Sequence, residues 1–227
     1  MLKFEAFSDL SNKDAPVRGF LHSSTGDPAN GLILTHGAGA NCESQLLLTI
    51  ADAFNSRNWT VLRCDLPFRQ IRSHGPPPLR SSERDQAGLR AAVDAMRRLV
   101  EGRIVLGGHS YGGRQASMLA STEPGLVESL LLLSYPLHPP RKPVELRTKH
   151  FPSLLTPSFF VHGMRDGFGT ISEMQSALSL IPACTDLLPV SGAGHELLTK
   201  SNREALIEEV TSRFSAFILA GPEDPQK

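Results

Sequence analysis

The chain has 227 residues, 40% of them apolar and 20% charged, with 23 Lys and Arg against 23 Asp and Glu. That length suits a single domain, 1–227, and is short for two. The charge balance argues against a nucleic-acid binder gripping phosphates and against an acidic disordered tail.

Met1 to Leu10 carries Lys3, Glu5 and Asp9 and lacks the apolar centre of a signal peptide. No run approaches the roughly 18 apolar residues a membrane span needs. Cys42, Cys64 and Cys184 are too few and too widely spaced for a disulfide framework or a metal motif. A cytoplasmic protein with reduced thiols and no membrane association is expected.

Beyond the N-terminal strands, Gly31–Thr35 reads as a buried strand entering the Gly-rich turn His36-Gly37-Ala38-Gly39-Ala40. Glu43 to Arg57 places Leu46, Leu47, Ile50, Ala53 and Phe54 at helical spacing, and Trp59 to Asp65 returns to strand. Leu66 to Leu79 holds four prolines and a glycine and reads as a loop. Ser82 to Val100 is an amphipathic helix with Leu89, Ala92, Val93, Met96 and Val100 on one stripe and Ser82 as its expected cap. Arg103–Gly108 is a strand, Arg114–Glu123 a helix ended by Pro124-Gly125, and Leu130–Ser134 an apolar strand. A proline-rich loop runs to Pro157; then come strand 158–161, helix 171–180, strand 186–190 and helix 203–219. Short apolar strands alternating with amphipathic helices predict an α/β fold, with a mostly parallel sheet covered on both faces. Ligands then bind at the carboxyl ends of the strands, so the strand-to-helix loops are where chemistry is expected.

One such loop is Gly108-His109-Ser110-Tyr111-Gly112. Strand before and helix after make it a nucleophile elbow, which holds Ser110 in a strained backbone and aims its hydroxyl outward. Gly108 and Gly112 are expected where side chains would clash with the neighbouring elements. A serine needs a base. His195, in Gly192-Ala193-Gly194-His195-Glu196 after the last strand, has both position and mobility. His36 and His109 are expected to brace their turns and His162 to be buried scaffold; His22 has no motif around it, and His74, His138 and His150 lie in loops. Asp166, after strand 158–161, is the expected carboxylate for His195, because the preceding strand offers no acid before Glu145. The backbone N–H groups of Ala38 and Tyr111 are the expected oxyanion donors. No cluster has metal-ligand spacing, so neither metal nor cofactor is expected.

These features resemble the α/β-hydrolase superfamily over nearly the whole chain. Leu66-Pro67-Phe68-Arg69, Ser134-Tyr135-Pro136-Leu137-His138-Pro139-Pro140, Lys142-Pro143, Leu146-Arg147, His150 and Met164-Arg165-Asp166-Gly167-Phe168-Gly169 are similar to a dienelactone-hydrolase-like branch. That branch includes bacterial hydrolases and, in animals, the testis-expressed protein and the third subunit of the NSL chromatin complex. The resemblance implies a sheet of about eight strands with nucleophile Ser110, acid Asp166 and base His195 at its carboxyl edge. Dienelactone hydrolases use cysteine where this chain has Ser110, which argues against dienelactone substrates. The stretch between Ser134 and Ser158 is too short for a lid domain. A shallow pocket is therefore expected, bounded by Phe68, Arg69, Leu137 and His138, with Arg69, Arg141 and Arg147 weighed as partners of an acidic substrate. The reading is a serine hydrolase of small esters or thioesters acting on a small molecule. The alternatives are a short-peptide or amide hydrolase and a non-catalytic interaction protein on the same fold.

Overall fold

The computed structural model describes residues 4–26 and 30–220. The first three residues of the N-terminal segment lie outside that range, as does the C-terminal end of the single domain expected over 1–227. Eight strands form one sheet: β1 (Glu5–Asp9), β2 (Val17–His22), β3 (Asn30–Thr35), β4 (Trp59–Cys64), β5 (Ile104–His109), β6 (Ser129–Leu133), β7 (Ser158–Gly163) and β8 (Thr185–Val190). Their spatial order is β1-β2-β4-β3-β5-β6-β7-β8. β1 and β2 pair antiparallel, β2 meets β4 antiparallel, and every pairing from β4 to β8 is parallel. Pro189 is tolerated in β8 because that strand is an edge.

The helices are α1 (Gln45–Asn55), α2 (Pro67–Ile71), α3 (Ser82–Arg97), α4 (Tyr111–Thr122), α5 (Ile171–Leu178) and α6 (Arg203–Ala220). Successive strand residues point to opposite faces, so the sheet feeds two cores. Ile33, Leu62, Leu106, Leu132 and Phe160 meet α3, α4 and α5 through Leu89, Met96, Ala116, Leu119 and Met174. Leu32, Leu34, Val61, Val105, Leu131 and Phe159 meet α1 and α6 through Leu47, Ile50, Phe54, Val210 and Phe214. The central strands are buried on both faces and therefore read as continuous apolar runs.

Three local expectations are corrected. The 66–79 stretch is not all loop: α2 begins with Pro67 at its first position, where no backbone N–H is missed. Its Phe68 N–H donates to Asp85 Oδ1 at 3.1 Å. Ser82 does not cap α3; it lies inside the helix and its hydroxyl donates to Gln115 Oε1 at 2.7 Å. Helix α4 begins at Tyr111, three residues early, because the reversed backbone of Ser110 turns directly into it despite Gly112 and Gly113. The 134–157 segment carries only a 3-10 turn, Phe151–Ser153, and no lid.

Candidate active site

The sheet reverses its winding between β3 and β5: from β3 the chain moves outward to β4, then crosses back to β5. The loops leaving β3 and β5 therefore diverge at one crevice, on the carboxyl edge. The 36–40 turn and the Ser110 elbow face each other there. Gly112 N–H donates to the His36 carbonyl at 3.1 Å, and a Cβ on Gly112 would stand 2.6 Å from that oxygen. A Cβ on Gly108 would meet the backbone of Gly112 and Gly113 at 2.8 Å. Both positions need glycine because backbone lies against backbone.

Ser110 adopts φ 51° and ψ −114°, a conformation an L-residue enters at a cost of roughly 1–3 kcal/mol. Its N–H is tied to the Leu133 carbonyl at 2.8 Å, which fixes the elbow to β6. Ser110 Oγ lies 2.8 Å from His195 Nε2, and His195 Nδ1 lies 2.8 Å from Asp166 Oδ2. With Nδ1–H donating to the carboxylate, Nε2 is free to accept from the serine. Neither the Tyr111 nor the Ala38 N–H donates to any acceptor among the described residues.

Asp166 is buried. Burial pushes its carboxyl up, but hydrogen bonds from His195 and the Phe168 N–H prevail and hold it below the usual carboxylate range. The Phe168 N–H donates to Oδ1 at 2.8 Å, and the Phe168 ring stacks on His195 with centroids 4.2 Å apart. Gly163 lets this loop approach the next: a Cβ there would fall 2.3 Å from the Gly194 carbonyl.

Three further histidines stay neutral, because burial lowers the pKa of each. His36 donates from Nδ1 to the Gly37 carbonyl and accepts the Leu66 N–H at Nε2. His109 donates from Nε2 to the His195 carbonyl at 2.9 Å. His162 donates to the Gly169 carbonyl and stands 3.7 Å from Asp166.

The four expected pocket residues are differently placed. Arg69 is buried, and its guanidinium donates four of its five N–H groups to the carbonyls of Ala38, Ala40, Arg72 and Gly75, so it is committed to bracing the 36–40 turn. Phe68 is buried edge-on between His36 and Tyr111. Leu137 is fully buried against Gly169. His138 is buried, with Nδ1 donating to the Pro139 carbonyl. These residues form the framework beneath the site and not an open pocket surface. Sequence reading also missed Asp85, which accepts from Tyr111 Oη at 2.8 Å and anchors the residue after the serine. Asp85 stands in the first turn of α3, where an acid is ordinary for helix-dipole reasons and signals no contact elsewhere. Among the described residues no three His, Cys, Asp or Glu side chains gather as a metal site, and no helix is long and apolar enough to cross a membrane.

A strand-elbow-helix serine, linked to a histidine and an acid from later loops of a mostly parallel sheet, defines the α/β-hydrolase class of proteins. A family model described as alpha/beta hydrolase domain matches residues 28–220, and the chain belongs to that family. Solved structures agree on the fold. Est1E from Butyrivibrio proteoclasticus superposes with a TM-score of 0.73 at 16% identity, covering 94% of this chain and 99% of its own. Dienelactone hydrolase from Anabaena variabilis gives 0.72 at 18% identity, covering 97% and 99%. An alpha-beta serine hydrolase homologue from Coxiella burnetii gives 0.74 at 17% identity, covering 92% and 96%.

Proposed function

We propose that this protein is a serine hydrolase that cleaves small carboxylic esters or thioesters through an acyl-enzyme. The observation that carries the reading is the unbroken series Ser110 Oγ, His195 Nε2, His195 Nδ1 and Asp166 Oδ2, with both links at 2.8 Å. His195 accepts the Ser110 proton as the oxygen attacks the substrate carbonyl, and Asp166, held ionised, stabilises the imidazolium. The developing oxyanion takes hydrogen bonds from the Ala38 and Tyr111 N–H groups. Arg69 holds the Ala38 turn from behind, and Asp85 holds Tyr111 through its phenol. Collapse of the tetrahedral intermediate expels the alcohol or thiol, protonated by His195. Water then repeats the sequence against the acyl-serine, with the same base.

A small substrate is favoured because the 134–157 segment adds no apolar cover over Ser110 of the kind a long acyl chain needs. Est1E has also been solved with ferulic acid bound, so feruloyl esters join short acyl esters in the substrate screen. The test is labelling by a fluorescent fluorophosphonate, which reacts only with an activated serine. The wild type should label and a folded Ser110→Ala variant should not. A folded wild type that stays unlabelled would sink the hydrolase reading.

A further inference from the structure

Away from the serine, helix α4 and the 146–153 segment enclose a cleft of about 550 Å3, lined by Arg114, Met118, Arg147, Lys149 and His150. Arg114 lies one helical turn beyond Ser110, its N–H bonded to the Ser110 carbonyl at 3.0 Å. Arg147 is presented from a fixed backbone: its N–H donates to the Leu137 carbonyl at 2.8 Å and its carbonyl accepts Tyr135 Oη at 2.6 Å.

Arg114, Arg147 and Lys149 bring three positive charges to this cleft, and none pairs with a carboxylate among the described residues. The nearby acid, Glu145, is taken by Lys142 at 2.9 Å. Arg114 Nε is buried without a hydrogen-bond partner. The Arg147 guanidinium makes a single long contact, Nη1 to the Pro136 carbonyl at 3.3 Å. A buried donor left without a partner is costly, and in a chain with 23 acids to match 23 bases such grouping calls for an external counter-charge. Burial lowers the pKa of Arg147 and brings His150 down to about 4, and in both cases the charge of Arg114 adds to the effect. His150 is thus neutral and bonds Ser117 Oγ at 2.8 Å. The Ser121 and Thr122 hydroxyls donate to carbonyls of their own helix, leaving recognition to the guanidiniums. Paired guanidiniums match the tetrahedral oxygens of phosphate, and three charges suit a dianion better than a monocarboxylate.

We propose that this cleft binds a phosphate-bearing small molecule, seated on Arg114 and Arg147 with Lys149 at its rim. Binding there does not require the hydrolytic reading to hold. The test is isothermal titration with inorganic pyrophosphate at ionic strength held constant with sodium chloride. Wild type and Ser110→Ala should bind equally, saturably and one to one. Arg114→Gln and Arg147→Gln should each weaken binding at least tenfold, and Lys149→Gln several-fold. Should Arg114→Gln fold poorly, Arg147→Gln and the exposed Lys149→Gln decide the matter alone. Absence of saturable binding to the wild type, or unchanged affinity in Arg147→Gln and Lys149→Gln, would overturn the proposal. Acetate binding as tightly as pyrophosphate would overturn the phosphate assignment.

Discussion

His195 is held at three points: the carboxylate of Asp166 on one nitrogen, the Phe168 ring on one face, and His109 on its backbone carbonyl. Each contact restrains a different freedom, namely tautomer, ring tilt and loop position. Asp166→Asn keeps the shape but inverts the hydrogen-bond polarity, so kcat on an ester substrate should fall by about 10³–10⁴ with KM little changed. Steady-state kinetics on the variant checks this. In the proposed mechanism His109 acts through the backbone carbonyl of His195, as a positioning residue. His109→Leu removes the donor and should lower kcat by about 10–100-fold, whereas His109→Gln, which can still donate, should recover most of it. Equal loss in both variants would show that packing, not the hydrogen bond, is what His109 contributes.

The elements at the site are set by close approach of backbone. Gly112 sits where α4 begins against the end of β3, and a methyl group there meets Thr35 Cγ2 and the His36 carbonyl, both at 2.6 Å. Neither can yield without moving the turn that carries Ala38. Gly112→Ala should therefore cost about 1–3 kcal/mol in urea unfolding. Gly39, in the same turn, has open space around its Cβ position. Gly39→Ala should be neutral or stabilising by about 0.4–1 kcal/mol, because it restricts the unfolded chain. The contrast between two glycines of one crevice separates steric need from mere turn composition.

Across the whole molecule, buried neutral histidines couple stability to pH. Burial first, then the Arg63 guanidinium, pushes His22 down to about 4, and His150 is likewise brought to about 4. His22 Nε2 accepts from Arg63 Nε at 2.8 Å, a bond that protonation would break. The unfolded chain takes up these protons near pH 6.5 and the folded one near 4, so the unfolded state binds more protons between those values and stability is lost as the pH is lowered through them. Each histidine contributes about 2 kcal/mol of that loss between pH 7 and pH 5. Asp85 and Asp52, raised by burial, return part of it as they protonate. Urea midpoints should drop from pH 7 to pH 5, and a His22→Gln variant should show a shallower slope.

Local pattern was enough for the alternation of strands and helices, the two Gly-rich turns and the chain order Ser110, Asp166, His195. Period-2 burial, period-3.6 stripes and turn chemistry act over a few residues, and an unaided reading of them works wherever packing agrees with propensity. Contacts that span the chain decided the rest. Arg69 looked like a free loop cation and is spent on four backbone carbonyls, because α2 folds it under the 36–40 turn. Asp85, in the first turn of α3, binds the phenol of Tyr111, 26 residues on. The 2.8 Å links from His195 to Ser110 and Asp166 span 85 and 29 residues. Such distances are set by the order β3-β5-β6-β7-β8 of the sheet. Strand order follows from how two hydrophobic cores close over both faces at once, a balance that no window of sequence contains.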